Sequence, residues 1–479
     1  MKNTIKIICT LVSALILFTS CQSVYIGTPS PSIGPDESAP LPVEDDEEYY
    51  TPGTLFNSGD IQNGFMYYDY WIYEEGQYYK ELAIVSPSGK KTYNEKYASR
   101  LVKVNTATGV VSSLCLDPVC NHSPRSDCPM IAPEGWGIYI PVIVGDWVVV
   151  EKSKSSEVYG RMYECFAYNP LTGDKQDILI NEYGEMTVTE WAGMAVFGNK
   201  LYSIRRFMDY SNTDYVPGGD KPMSSFTPET VCVFSYYDFD SKKTVELFEV
   251  PAGYAIYAVT NKRFFFRTSE DEVFSTGYDG KNPVKEDVFD FIITNKIGPY
   301  AYHVDKEVFL MYDLRTNTKK QIDVPFTRYQ RPVFTRSGIL YDTWTTMEEW
   351  DKALDGYAEF KEAHPDLRGN ELRNAFMEEC NKLKYAGTAQ IWRSNFEGGE
   401  LELIFEKENV VINTVCGNDK YLFGFVVAGD PNNGYKEIAY ENEGRSMINL
   451  ETGEITPVPY CELIPPSDEM MMEIINSNE

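Results

Sequence analysis

The chain is poor in the side chains that usually carry acid–base chemistry. It has 3 histidines among 479 residues, no Gly-x-Ser-x-Gly nucleophile elbow, and no glycine-rich phosphate loop between a strand and a helix. The inventory for catalysis is thin, and the local signatures of nucleophile-elbow hydrolases and of phosphate-loop enzymes are absent. Positive charge is also scarce, with 43 Lys and Arg against 72 Asp and Glu and a formal net charge of -29. A surface so acidic repels phosphate backbones, so no nucleic-acid partner is expected. Past residue 20 no stretch approaches the roughly 18 apolar residues of a membrane-spanning helix. A regular disulfide framework is missing too, because Cys165, Cys232, Cys380, Cys416 and Cys461 are scattered singly and read as small core residues.

The one apolar run lies at the start. Lys2 and Lys6 precede it, it extends from Ile7 to Phe18, and Thr19-Ser20 lead into Cys21. A short apolar segment with basic residues before it and small residues after it is a cleavable export signal. Leu17-Phe18-Thr19-Ser20-Cys21 resembles the lipobox of bacterial lipoproteins, departing from it in Phe18, where the pattern carries Leu. The resemblance implies a signal peptide at 1–20, lipid on Cys21, a membrane partner held through that lipid, and an extracytoplasmic location on the cell membrane. The bland alternative is an ordinary secretory signal with an incidental cysteine. Residues 21–52 combine Pro, Ser, Gly and the acids 44–48, a composition with little to bury, and read as a disordered tether.

From about residue 53 a unit recurs. Its mark is a polar turn: Asn105 to Gly109, Asn169 to Gly173, Asp238 to Lys242, Asp279-Gly280, Asp313 to Asn317, Asn395 to Gly399 and Asn449 to Gly453. Asn or Asp starts such turns through its side chain and Gly accepts positive φ, so each is a hairpin. A second hairpin precedes several of them, at Gly145-Asp146, Gly198-Asn199, Asn261-Lys262 and Asn418-Asp419. Two hairpins per unit make a four-stranded sheet, and repetition at this spacing predicts an all-β fold, a β-propeller of about seven four-stranded blades over 53–466. The pattern, as in Glu272 to Asp279 (EVFSTGYD), resembles the bacterial propellers related to YWTD repeats, which implies a fold and no activity. Helical spacing of Met347, Trp350, Leu354, Tyr357 and Phe360, then of Leu372, Phe376, Cys380 and Leu383, predicts a two-helix insertion at 345–386, with Thr345 and Glu348 as a capping box and Asn370 capping the second helix. Residues 467–479 read as a C-terminal tail.

Cys115, Cys120, His122 and Cys128 fall within fourteen residues. Three thiols and an imidazole form a complete tetrahedral zinc set, and Asp117-Pro118 would turn Cys115 toward Cys120. The spacings are not those of paired zinc knuckles, and in an exported protein two of these cysteines could join as a disulfide, or all could be buried thiols. A structural zinc is the one cofactor the sequence suggests. The segment also resembles a Cys-x-Asp-Pro-x-Cys-x-His motif of propeller lipoproteins from Gram-positive anaerobes, which implies kinship and no function.

Elsewhere the signals are weaker. His303 alternates along a strand and His364 ends a helix. Tyr67, Tyr68, Tyr70, Trp71, Tyr73, Trp136 and Trp147 could form a sugar platform or pack in strands. The expected function is a lipid-anchored, monomeric binding or scaffolding propeller for a surface polymer, peptide or protein, without evident catalysis. The alternative is a carbohydrate-active enzyme whose carboxylates line the channel.

Overall fold

The computed structural model describes residues 47–50 and 70–477, except 106–107, 126, 290–292, 294, 306–307, 323–331, 336, 434–435 and 439–443. The expected signal, Cys21 and most of the tether lie outside the described residues. The described strands form seven antiparallel sheets. The first holds β1 (Tyr70–Val85), β2 (Lys91–Asn105), β3 (Val111–Ser113) and β4 (Ile131–Ala132), and the second β5 (Trp136–Val144), β6 (Trp147–Ser156), β7 (Gly160–Tyr168) and β8 (Lys175–Asp177). The third has β9 (Glu182–Tyr183), β10 (Thr187–Phe197), β11 (Lys200–Asp209), β12 (Glu229–Asp238) and β13 (Lys243–Val250). The fourth has β14 (Ala255–Val259), β15 (Phe264–Arg267), β16 (Val273–Thr276) and β17 (Val284–Lys285), and the fifth β18 (Asn295–Ile297), β19 (Tyr300–Asp305), β20 (Val308–Asp313) and β21 (Thr318–Gln321). The sixth has β22 (Val333–Phe334), β23 (Ile339–Trp344), β24 (Thr388–Ser394) and β25 (Glu402–Glu408), and the seventh β26 (Val410–Gly417), β27 (Tyr421–Asp430), β28 (Lys436–Ile438), β29 (Arg445–Asn449) and β30 (Ile455–Pro457).

The last hairpin of every sheet is built in one way. The oxygen of Asn105, Asn169, Asp238, Asp279, Asp313, Asn395 or Asn449 accepts a backbone N–H two or three residues on, at 2.9 to 3.0 Å. A residue with φ between 53° and 81° then reverses the chain, Gly in five sheets, Lys242 and Asn317 in the other two. Local turn chemistry thus sets the blade count.

Seven apolar clusters close the ring. Each joins neighbouring sheets: Ile138 and Val150 pack with Leu101, Val144 with Leu201, Phe234 with Phe264, Phe265 with Tyr312, Tyr302 with Phe334, Ile391 with Val426, and Phe423 with Val104. A sheet that buries both faces against neighbours, with the seventh returning to the first, is a blade of a seven-bladed β-propeller.

The two ends of the ring differ. The Asx turns that close the sheets share one end with the turns between first and second strands of the second, fourth, fifth, sixth and seventh sheets, and there Ser337 N–H donates to Asp419 Oδ1 at 3.3 Å and Leu450 N–H to Lys420 O at 2.8 Å. Glu47–Tyr50, read from sequence as tether, docks at this end. Tyr50 is fully buried and bridges Thr260 and Gly298, in the first turns of sheets four and five, and the Arg263 guanidinium grips Glu48 at 2.9 Å.

The opposite end carries the insertion between β23 and β24. It holds three helices rather than two: α1 (Met347–Asp355), α2 (Tyr357–Ala363) and α3 (Gly369–Ala386), with the first pair interrupted at Gly356. Their apolar stripes meet around Trp344, Trp350, Phe376 and Cys380. The expected capping box does not form, because Thr345 extends the strand ladder and its hydroxyl accepts the Thr388 N–H at 3.0 Å. Arg368, not Asn370, precedes the first turn of α3. The C-terminal tail contains α4 (Asp468–Ser477), which buries Met471 and packs on β1, with Asp468 accepting from Lys91 and, at 3.0 Å, from Tyr93.

Candidate metal centre

The outer edge of the first sheet is split. β3 and β4 both pair with β2, and residues 114–130 loop out between them. The loop is closed at its base by Leu101, whose carbonyl accepts the Leu114 N–H at 3.0 Å and whose N–H donates to Met130 O at 2.9 Å. Leu116 N–H donates to the Tyr168 hydroxyl at 2.8 Å, tying the loop to the second sheet, and Arg125 Nε donates to Glu81 Oε1 at 2.6 Å, tying it to the first. The loop therefore seals the rim between two blades.

Inside it, Asp117 does what an Asx turn requires. Its carboxylate accepts the Val119 N–H at 3.0 Å and its carbonyl the Cys120 N–H at 3.2 Å, so the chain folds back after Pro118. His122 takes a φ of 49°, a left-handed conformation uncommon for a residue with a side chain. Its Nδ1 then stands 3.6 Å from Cys128 Sγ. The ligand atoms of Cys115, Cys120, His122 and Cys128 all lie within 4.8 Å of one another. Cys115 and Cys128 are buried, while Cys120 and His122 are half-buried.

Cys120 Sγ accepts the His122 N–H at 3.4 Å, and the backbone of Asp117 and of Met130, likewise two residues on, acts on Cys115 and Cys128. Burial pushes the thiols of Cys115 and Cys128 up, and it pushes the His122 imidazole down, helped by the nearby Arg100. Three thiols and an imidazole are a donor set whose softness suits Zn²⁺. No other group of three or more His, Cys, Asp or Glu side chains with such geometry is present among the described residues.

The remaining sequence candidates do not converge on this site. His303 sits on β19, and the His364 Nδ1 donates to Phe360 O at 2.9 Å, ending α2. Trp136 is partly buried beneath Lys154, and Trp147 packs in the core near Phe239, so neither offers a bare sugar platform. Tyr67 and Tyr68 lie outside the described residues, as do the side chains of Tyr70, Trp71 and Tyr73.

Two charged clusters escaped sequence reasoning. Glu151 on β6 accepts a hydrogen bond from Tyr139, Glu190 on β10 stands 3.7 Å from Arg206, and burial raises both carboxyls. Both also act on Tyr163 and on Tyr183, which burial pushes up to about 12. At the ring closure Glu75 lies 3.6 Å from both Arg100 and Arg445, all three at 2% exposure or less. No local spacing announces residues that come from different blades.

No family model and no curated protein matches the chain. Among solved structures it is similar to dipeptidyl peptidase 4 of Porphyromonas gingivalis, with 9% identity and a TM-score of 0.32 over 83% of this chain, spanning only 54% of that one. It is also similar to the oligogalacturonate lyase of Vibrio parahaemolyticus (10%, TM-score 0.23, 80% of this chain and 86% of that one). A third is the β-propeller domain of the Trilobed protease from Pyrococcus furiosus (10%, TM-score 0.25, 70% and 77%). Likenesses this remote carry no activity over to this chain.

Proposed function

We propose that this chain is a lipid-anchored extracytoplasmic propeller that binds or scaffolds a surface polymer, peptide or protein through the end bearing α1–α3. The observation that carries this reading is the opposed placement of anchor side and elaborations. The chain enters the propeller at Glu47–Tyr50 on the tight-turn end, while the helical insertion rises from the other end, between the second and third strands of sheet six. A lipid on Cys21 would hold the turn end toward the membrane and leave the helices facing outward.

A second reading rests on Glu151 and Glu190. Two half-buried carboxyls with raised pKa, both acting on Tyr163 and Tyr183 and with Arg161 and Arg206 near, are groups of the kind that carbohydrate hydrolysis uses.

One experiment separates the two. The full chain is labelled with a fatty acid in cells, purified in detergent and incubated with isolated cell-surface glycan. Label lost in Cys21→Ser, and retention on glycan of unchanged length, are expected. Glycan that shortens, with the shortening abolished by Glu190→Gln, replaces the binding reading with the enzymatic one. An unlabelled chain in the soluble fraction removes the anchor.

A further inference from the structure

We propose that Cys115, Cys120, His122 and Cys128 bind one structural Zn²⁺ that locks the rim between the first and second blades. Three observations carry it, and each bears on the choice between metal and disulfide.

The first is number. All four ligand atoms are mutually within 4.8 Å. In tetrahedral zinc with Zn–S near 2.3 Å, neighbouring sulfurs stand about 3.8 Å apart, so closure onto the ion needs a shift of about 1 Å or less. A disulfide needs one pair at about 2.05 Å and abandons the other thiol and the imidazole.

The second is hydrogen bonding. Cys120 Sγ accepts the His122 N–H at 3.4 Å, and the backbone two residues on also lies against Cys115 and Cys128, although the loop has no repeated Cys-x-x-Cys spacing. A thiolate is a far better acceptor than a disulfide sulfur, so backbone placed in the same way beside each of the three sulfurs fits three metal-bound thiolates. The left-handed His122 then supplies the fourth corner.

The third is charge. Zn²⁺ with three thiolates and a neutral imidazole carries one net negative charge. Lys152 on β6 acts on Cys128 and Arg100 on β2, itself the partner of Glu75, acts on His122, so the adjoining blades place positive charge beside the site. With four protein ligands no position is left for water or substrate, which makes the site structural rather than catalytic. Zinc would also keep three thiols from oxidation outside the cytoplasm.

The test uses the mature full chain in detergent, free of any affinity tag. Metal analysis is expected to give one zinc per chain, and mass spectrometry of unreduced peptides is expected to find Cys115, Cys120 and Cys128 unjoined. Cobalt put in place of zinc should produce an intense thiolate-to-metal charge-transfer band. Cys120→Ser should abolish zinc retention, and His122→Ala should weaken it at least tenfold. The wild-type cobalt spectrum stands even where a variant fails to fold. A chain that takes up neither zinc nor cobalt, or whose unreduced peptides show two of these cysteines joined, overturns the proposal.

Discussion

Between the third and fourth sheets the packing is aromatic. Phe234, fully buried, meets Phe264 and Phe266 edge-on at 4.8 and 4.9 Å, with Tyr202 stacked at 5.9 Å. Between the seventh and first sheets the apolar cluster shrinks to Val104, Cys416, Phe423, Met447 and Val458. There the buried Glu75 draws in Arg100 and Arg445, the backbone N–H of Cys461 donates to the Glu75 carboxylate at 3.4 Å, and Arg445 stacks on Tyr460. Sheets three and four follow one another in the chain, so any apolar surface of the right shape can join them. The closing junction brings together distant parts of the sequence, and there charge adds selectivity, since a mispaired edge would bury an uncompensated ion.

The largest effect should come from removing the aromatic anchor. Phe234→Ala empties a site enclosed by four other rings and should cost about 3–5 kcal/mol in urea unfolding. A loss below about 1 kcal/mol would mean that this junction is not held by its rings. Glu75→Gln should cost somewhat less, about 3 kcal/mol, because it leaves two buried guanidiniums facing a neutral amide. If the comparison holds, this variant also opens first at the closure, seen as faster amide exchange in β1 and β29 than in β12 and β15. Equal exchange at both junctions would erase the distinction.

The junction of sheets six and seven is intermediate, apolar apart from Asp342, whose Oδ2 accepts the Thr414 N–H at 2.8 Å and the Thr414 hydroxyl at 3.2 Å. Burial raises this carboxyl to about 6 from an ordinary 3.8, partly offset by the Thr414 donors and Lys384. Between those values the native state binds more protons than the unfolded chain. This group's contribution to stability therefore grows as pH falls from about 7 toward 4 and is lost as pH rises through 6. Asp342→Asn should raise stability at pH 7.5 by about 1–2 kcal/mol, with the gain vanishing near pH 4. Thermal unfolding across that range checks it, and a gain independent of pH would assign the effect to packing instead.

What could be read from sequence follows the range of the interactions. The seven Asx-initiated turns are visible because their chemistry closes within five residues, and they predict the blades correctly. The Cys/His loop is visible for the same reason, and its four candidate ligands do converge. Helix starts in the insertion were misread because Thr345 serves a strand pairing with Thr388, some forty residues on, before it can cap a helix. The docking of Glu47–Tyr50, the Glu151/Glu190 pair and the Glu75 cluster were invisible, since each depends on side chains from separate blades.

The net negative charge, the export-like start, the number of repeating sheets and the grouping of three thiols with an imidazole are all written along the chain. All are matters of composition or of contacts within a few residues. Tertiary structure alone decided which faces of the sheets meet, where the entering segment docks, that the insertion rises from the opposite end, and which buried charges oppose one another at the closure. Those outcomes depend on ring geometry, which brings residues hundreds of positions apart within a few ångströms and leaves no periodic trace along the chain.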